Sequence, residues 1–212
     1  MYIKNQLIQK KLVLHLMEKE EFELLSFSNT REEYLLWKKE KRKTDIVRVS
    51  LNQYDWKRDL ASSVETFEKR AVQQLRLPFL QERISFHHMF ICENQPVDDW
   101  EELISSSGRA NKIDQSYIYI YGKDKEEIDR FYQQSNVSSS FLFSVPENLL
   151  ELEYQIELLK QRITQLHKEA EKEILAMFSK GKPRYSYVLL AINILVFLFL
   201  EYAGGAPLIP KF

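Results

Sequence analysis

Hydrophobic residues follow three different patterns along this chain of 212 residues. In residues 1–145 they recur either at every second position, as in half-buried strands, or at every third to fourth position, as in amphipathic helices. Residues 146–182 keep the helical spacing throughout, and residues 183–204 are apolar on all sides of a helix. We therefore predict a cytoplasmic α/β domain, a juxtamembrane amphipathic helix, a transmembrane helix and a short external tail of residues 205–212.

The first region alternates between helix-like and strand-like segments. Helical spacing covers 2–19, 53–76, Asp98–Ser106 and Lys123–Gln134, whereas strand patterns cover Phe22–Phe27, Glu33–Trp37, Thr44–Leu51, Ile84–Cys92, Tyr117–Tyr121 and, as an edge strand, Phe141–Val145. The segment Ile84–Cys92 is apolar on both faces, which favours a central strand covered on each side. This order predicts an α/β or α+β fold in which helices flank a mixed sheet.

The amphipathic helix carries a heptad-like seam. Its apolar positions are separated by three or four residues, and they are Leu149, Leu152, Ile156, Leu159, Ile163, Leu166, Ala170, Ile174 and Met177. Pro146 suits the start of this helix and Gly181 suits its end. Residues 147–179 either pair with a second copy as a coiled coil, giving a homodimer, or lie with their narrow apolar stripe on their own domain or on the membrane surface. We favour packing on the domain.

The segment Tyr185–Leu200 contains no charged residue, and Asn193 is its one strongly polar residue. A helix over this segment and on to Gly204 reaches across the roughly 30 Å of a bilayer's hydrocarbon core. Because the segment is apolar on all faces, a membrane helix is favoured over a buried core helix. The lipid bilayer is thus the first expected partner.

Residues at the two ends of this helix predict its orientation. Lys180, Lys182 and Arg184 precede it, whereas Lys211 follows it, and this asymmetry places the N-terminal region in the cytoplasm. Aromatic side chains are typical of membrane interfaces. The residues expected to anchor the helix are Tyr185, Tyr187, Asn193, Phe197 and Tyr202. The predicted location is the cell membrane, with a single span.

Composition narrows the range of functions. A formal net charge of -1 gives the chain no overall attraction to nucleic acid, and no such partner is expected. A single cysteine, Cys92, excludes an internal disulfide framework and fits a reducing compartment. The N-terminal segment lacks the small-residue cleavage site of a signal peptide. No cofactor is expected from any of these features.

One stretch of the sequence is rich in possible metal ligands. Four carboxylates lie within five positions, at Asp98, Asp99, Glu101 and Glu102. Clustered oxygens of this kind could bind Mg²⁺ or Mn²⁺. We favour the alternative that the stretch is a helix N-terminus, in which Asp98 is the cap and Glu101 completes a capping pair near the positive end of the helix dipole.

Motifs for catalysis are absent from the sequence. It contains no Gly-x-Ser-Gly and no glycine loop that would cradle a phosphate group. A nuclease carboxylate set needs an Asp and a Glu-x-Lys on neighbouring strands, but Glu33 and Lys38–Lys39 lack that spacing and Asp45 stands alone. His87 and His88 are neighbours on a strand, so they face opposite sides and cannot bind one ion together. We predict no catalytic residue.

Two passages together resemble the rhomboid intramembrane serine proteases of Gram-positive bacteria. The first runs from Gly181-Lys182-Pro183-Arg184-Tyr185 through the apolar segment to Glu201-Tyr202-Ala203-Gly204-Gly205, and it is similar to the first transmembrane helix of that family. The second comprises Val47-Arg48-Val49, Tyr54-Asp55-Trp56 and Pro96-Val97-Asp98-Asp99-Trp100-Glu101, and it is similar to the cytoplasmic domain that precedes this helix.

The resemblance implies a degenerate restriction-endonuclease-like fold without nuclease residues. It also implies a regulatory domain that recognises partners, membrane-protein substrates or a cytoplasmic signal for a protease body of six or seven helices. The family's catalytic serine and histidine lie on later membrane helices, and this sequence ends at Phe212. We therefore expect a truncated or frameshifted product, or a fragment, that is not catalytic by itself.

Two other functions fit the same sequence. A single-span membrane adaptor would dimerise through residues 147–179, where the heptad-like seam lies. A cytoplasmic sensor of divalent cations would use the carboxylates of Asp98, Asp99, Glu101 and Glu102.

Overall fold

A computed structural model describes the chain over residues 2–25, 33–40, 43–74, 83–100, 113–122, 126–135, 144–180 and 184–203. In chain order, the helices and strands in these ranges are α1 (Tyr2–Lys19), β1 (Glu23–Leu25), β2 (Glu33–Glu40), β3 (Lys43–Ser50), α2 (Lys57–Gln74), β4 (Arg83–Ile91), β5 (Ile113–Tyr121), α3 (Glu126–Gln134), α4 (Leu149–Lys180) and α5 (Arg184–Ala203). The chain divides into two compact units, Met1–Lys168 and Glu169–Phe212, and the boundary falls inside α4.

The first unit is built on a mixed sheet of five strands in the order β1-β2-β3-β4-β5. Strands β1, β2 and β3 are antiparallel neighbours, whereas β3, β4 and β5 run parallel to one another. A parallel pair needs a crossover connection, and α2 supplies it between β3 and β4. The predicted class, a mixed sheet flanked by helices, is confirmed.

Successive residues of each strand face two separate apolar layers. On one face, α1 and α3 complete a cluster whose fully buried members include Leu12, Leu16, Leu36, Val47, Val49, Met89, Tyr119 and Phe131. On the other face, α2 covers a second layer that includes Leu60, Val64, Phe90, Ile46, Ile84 and Phe86. Strand β4 is buried along both faces from its second residue, as its apolar sequence predicts.

Some predicted elements differ from the structure. Of the helix predicted over Asp98–Ser106, residues 98–100 are not helical, and residues 101–106 lie outside the described ranges. Of the edge strand predicted over Phe141–Val145, residues 144 and 145 are not in a strand, and 141–143 lie outside the described ranges. The helix prediction was wrong at Asp98 because that carboxylate contacts the start of α2, as described below.

The first part of α4 packs within the first unit. Leu152 is 3% exposed and Ile163 is 2% exposed, and Ile163 belongs to the same core cluster as the buried residues of α1. Arg162 Nε donates to Glu18 Oε1 at 2.8 Å, and this bond ties α4 to the end of α1. The structure therefore supports packing on the domain for the part of the seam between Leu152 and Ile163, whereas Leu149 and Ile174 are exposed.

The second unit contains α5, which covers the segment predicted to be helical. The large apolar side chains of residues 188–200 are all exposed, and so are the predicted anchors Asn193, Phe197 and Tyr202. The side chains of Tyr185 and Tyr187 lie outside the described part. Within the described residues, no helix is both long enough and apolar enough to cross a membrane, so the transmembrane helix stays a prediction.

The packing of α4 can be tested by truncating one buried side chain. We expect Ile163→Ala to lower the free energy of unfolding by about 2–4 kcal/mol, because it leaves a cavity in the core. The control is Leu158→Ala on the same helix, where the side chain is 46% exposed and the expected change is within about 0.5 kcal/mol. Urea unfolding of the full chain, followed by tryptophan fluorescence, measures both. Equal effects would mean that α4 does not pack as described.

Candidate functional site

A buried polar cluster lies where β3 ends. Glu33 is the first residue of β2, and it is paired with Ser50, the last residue of the antiparallel strand β3. Its Oε1 atom accepts hydrogen bonds from Arg48 Nη2 at 2.5 Å, from Ser50 Oγ at 3.1 Å and from Asn52 Nδ2 at 2.7 Å. We call these four residues the Glu33 cluster.

Arg48 carries the positive charge of the Glu33 cluster and is 5% exposed. The guanidinium carbon lies 4.5 Å from the ring centre of Phe67 and 5.5 Å from that of Phe90, within the range of cation–π attraction. Its Nη1 atom donates to Ser63 Oγ at 3.3 Å, and Ser63 Oγ is 2.7 Å from the hydroxyl of Tyr54. A guanidinium buried this deeply requires such partners, because its removal from water is costly.

The chemistry of the Glu33 cluster is not that of a nuclease. The nuclease arrangement needs several carboxylates and a lysine on neighbouring strands, but the residues of β3 nearest to Glu33 on its face of the sheet are Arg48 and Ser50. A carboxylate neutralised by a guanidinium is a poor ligand for a divalent cation. In the described part of the chain, no three His, Cys, Asp or Glu side chains form a group that could hold a metal ion.

The structure describes two of the four predicted metal ligands, Asp98 and Asp99. Asp98 Oδ1 accepts the backbone N–H of Lys57 at 2.6 Å, so it caps α2, which begins at Lys57, rather than a helix of its own. Asp99 is exposed. Glu101 and Glu102 lie outside the described residues. Asp98 therefore caps α2, and not the helix that the sequence predicts to follow it.

The three motifs that resemble the rhomboid family come together at one end of the sheet. Val47-Arg48-Val49 lies in β3, and Tyr54-Asp55-Trp56 leads into α2. The loop after β4 reaches this turn, because the N–H of Val97 donates to the carbonyl of Asp55 at 3.0 Å. Trp100, at the end of that motif, is buried in the layer under α2. These contacts indicate that the motifs maintain the fold.

A second polar contact lies under α2. His88 Nε2 is 3.1 Å from Glu68 Oε1, and Ser116 Oγ donates to the same oxygen. His88 is fully buried, and its burial lowers the pKa of the imidazole despite the hydrogen bond with Glu68. The carboxylate can only accept, so the neutral ring carries its proton on Nε2.

His87 makes an equivalent contact on the opposite face of the sheet. Its Nδ1 atom is 3.1 Å from the hydroxyl of Tyr119, which donates to Gln134 Oε1 at 2.8 Å. Its Nε2 atom lies 3.7 Å from Asp45 Oδ1. Burial lowers the pKa of His87, although Asp45 opposes that shift. The prediction that His87 and His88 face opposite sides is confirmed.

Cys92, the single cysteine, lies at the end of β4. It is 6% exposed, and its Sγ atom donates to the carbonyl of Asn94 at 3.3 Å. Burial raises the pKa of the thiol to about 11. The thiol is therefore protonated at neutral pH.

Sequence reasoning did not single out Glu33, Arg48 or Glu68 as a group. Arg48 could have been identified from the sequence, because it lies among β-branched residues in a predicted buried strand. A charged side chain in such a strand requires a partner. The partner itself could not be found, since Glu33 depends on the register of β2 against β3. Glu68 is one of many charged positions along α2, and its burial depends on the packing of that helix.

Comparison with known proteins shows a similarity to a rhomboid protease. No protein-family model matches this chain. The chain is similar to Rhomboid protease GluP of Bacillus subtilis (strain 168), with 24% identity over 171 residues. The matched region is 79% of this chain and 32% of that protein, so the chain spans about a third of the length of the relative. The resemblance to rhomboid proteases that the motifs predict is confirmed.

The Glu33 cluster can be tested by removing its charge partner. We expect Arg48→Met to lower the free energy of unfolding by about 3–5 kcal/mol, because Glu33 is left buried without a counter-charge. The double variant with Glu33→Gln should be less destabilised than the sum of the two single changes. The control is Lys69→Met, which breaks an exposed pair with Glu65 and should cost less than about 1 kcal/mol. Urea unfolding that shows equal costs for Arg48→Met and Lys69→Met would contradict the role of the cluster.

The buried histidines predict that acid destabilises the first unit. The folded pKa values of His87 and His88 lie below the unfolded value, so the unfolded state binds protons first as the pH falls below about 6.5. The free energy of unfolding is therefore highest above that pH and falls as the pH drops below it. The loss is about 1.4 kcal/mol for each unit by which the folded pKa of a histidine lies below its unfolded pKa.

Urea unfolding between about pH 7.5 and pH 5.5 measures this loss. His88→Gln should reduce the pH dependence, because one of the two buried rings is then absent. If stability did not change over that range, the two rings would not be held neutral by the fold.

Proposed function

We propose that this chain provides the cytoplasmic regulatory domain and first membrane helix of a rhomboid-like intramembrane serine protease, and that it is not catalytic by itself. The observation that carries the proposal is the similarity to Rhomboid protease GluP, which extends over 79% of this chain. The sequence contains no Gly-x-Ser-Gly motif, so the chemical step would belong to other parts of such a protease.

The geometry of the first unit supports a role in recognition rather than in chemistry. An antiparallel β1-β2-β3 meander followed by a crossover to parallel β4 agrees with a degenerate restriction-endonuclease-like fold. Arg48 and Ser50 stand beside Glu33, where a working nuclease needs acidic groups and a lysine. The three hydrogen bonds to Glu33 link β2 to β3 and to the segment that follows it.

The membrane helix of the proposal is α5, with the lipid bilayer as its partner. The large apolar side chains of residues 188–200 are exposed to solvent, and water is an unfavourable environment for an apolar surface of this extent. Lys180, Lys182 and Arg184 precede this run, which supports a cytoplasmic first unit under the positive-inside rule. Helix α4 ends at Lys180 and α5 begins at Arg184, so the two helices are close neighbours along the chain. A conformational change that a ligand causes in the first unit would reach α5 through α4.

A chimera tests this function directly. The segment of Rhomboid protease GluP that matches this chain is replaced by residues 1–205, and cleavage of a transmembrane substrate is measured in membranes. We expect the chimera to cleave, this chain alone to be inactive, and the chimera with its catalytic serine changed to alanine to be inactive. Deleting residues 1–168 from the chimera should change the cleavage rate by at least about fivefold if the domain is regulatory.

Three outcomes contradict the proposal. An inactive chimera would mean that this chain does not serve a rhomboid-type protease. Cleavage by this chain alone would overturn its non-catalytic character. A chimera whose cleavage rate does not depend on residues 1–168 would overturn the regulatory role of the domain. The control is Val97→Ser in the chimera, which alters an exposed side chain of the first unit and should leave the cleavage rate unchanged.

A further inference from the structure

An apolar stripe runs along the outside of α4 within the first unit. Leu150 is 74% exposed, Tyr154 is 65% exposed and Leu158 is 46% exposed. Residues four positions apart lie on the same side of a helix, so these three side chains form a continuous row of about two turns. We call them the outer stripe.

The outer stripe is not part of the core. Each residue of a helix is rotated by about 100° from the one before, so Leu150 and Tyr154 point to the side opposite Leu152. Leu152 and Ile163 are the residues of α4 that are buried in this unit. The fold of the unit therefore does not need the outer stripe, and an exposed row of large apolar side chains is typical of an interaction site.

The charged residues of α4 that flank the outer stripe are acidic, although Lys10 and Lys11 of α1 lie close enough to interact with Glu157 and Glu151. Glu147, Glu151, Glu153 and Glu157 are all exposed, and residues 147–159 contain no Lys, Arg or His. Lys160 follows and lies 3.4 Å from Glu157. An acidic rim repels the same rim of a second copy lying alongside it, and it repels the anionic surface of a membrane. It attracts a partner that is positively charged.

We propose that the outer stripe docks a basic amphipathic segment of another membrane protein. Such a segment would place leucine-like side chains on the stripe and Lys or Arg side chains on the glutamates, in the manner of a helix laid on a helix. Cytoplasmic segments next to transmembrane helices carry an excess of Lys and Arg, so membrane proteins present this chemistry on the side where the domain is proposed to lie. The inference rests on the proposed function, because it names the class of substrate that the regulatory domain would recognise.

The test uses the full chain in uncharged detergent micelles and a fluorescent helical peptide of about 18 residues. Its leucines recur every three to four positions and its other positions are lysine or glutamine. We expect saturable binding, measured by fluorescence anisotropy, that weakens as salt is raised. A second peptide with glutamate in place of lysine should bind at least about tenfold more weakly.

Two variants locate the binding to the outer stripe. Leu150→Ser with Tyr154→Ser should weaken binding of the basic peptide by at least about tenfold, while unfolding by urea stays unchanged because both side chains are exposed. Glu153→Lys with Glu157→Lys should weaken the basic peptide and strengthen the acidic one. The matched control is Val97→Ser, since Val97 is 80% exposed on another surface of the unit and should leave binding unaltered.

Several results would overturn the docking proposal. One is equal binding to the wild-type chain and to both stripe variants. Another is a wild-type dimer in sedimentation that the Leu150→Ser, Tyr154→Ser variant converts to a monomer, since the stripe would then be covered by a second copy. A third is stripe-dependent binding to vesicles of anionic lipid with no binding of the peptide.

The docking test does not depend on proteolysis. A chimera that cleaves although the basic peptide does not bind would remove the docking proposal alone. A peptide that binds to the stripe although the chimera is inactive would remove the proposed protease function alone.

Discussion

The contact between Arg48 and Glu33 connects more elements of the fold than any other polar contact described above. Arg48 lies on β3, the strand whose neighbour is antiparallel on one side and parallel on the other. Its guanidinium reaches β2 through Glu33, α2 through Ser63 and Phe67, and β4 through Phe90. A buried guanidinium must be paired, so these elements must pack in positions that keep its partners within contact distance.

A similar requirement for partners is met at three carboxylates of the described residues. Glu33 is bound by Arg48, Glu68 by His88, and Asp98 by the N-terminus of α2. A carboxylate held in this way specifies the geometry of the fold and is not free to coordinate an ion. The large apolar side chains that are exposed on α4 and α5 have no such partners within the described part of the fold.

Much of the fold could be predicted from the sequence, because local spacing determines it. The alternation in β3 and the two apolar faces of β4 predict their central positions, and the period of α2 predicts a helix between them. Contacts between distant segments could not be predicted in this way. Asp98 and Lys57 are separated by many residues, and an N-cap supplied by another loop looks in the sequence like the start of a new helix.

Cys92 gives the chain a practical property. A thiol with a pKa of about 11 is almost entirely protonated under physiological conditions, and only the thiolate reacts readily with alkylating agents or oxidants. The protein should behave toward maleimides and peroxide almost as if it contained no cysteine while it is folded. A cysteine introduced at any exposed position would then carry a fluorophore or cross-linker selectively, without replacement of the native residue, and labelling of Cys92 itself would report unfolding.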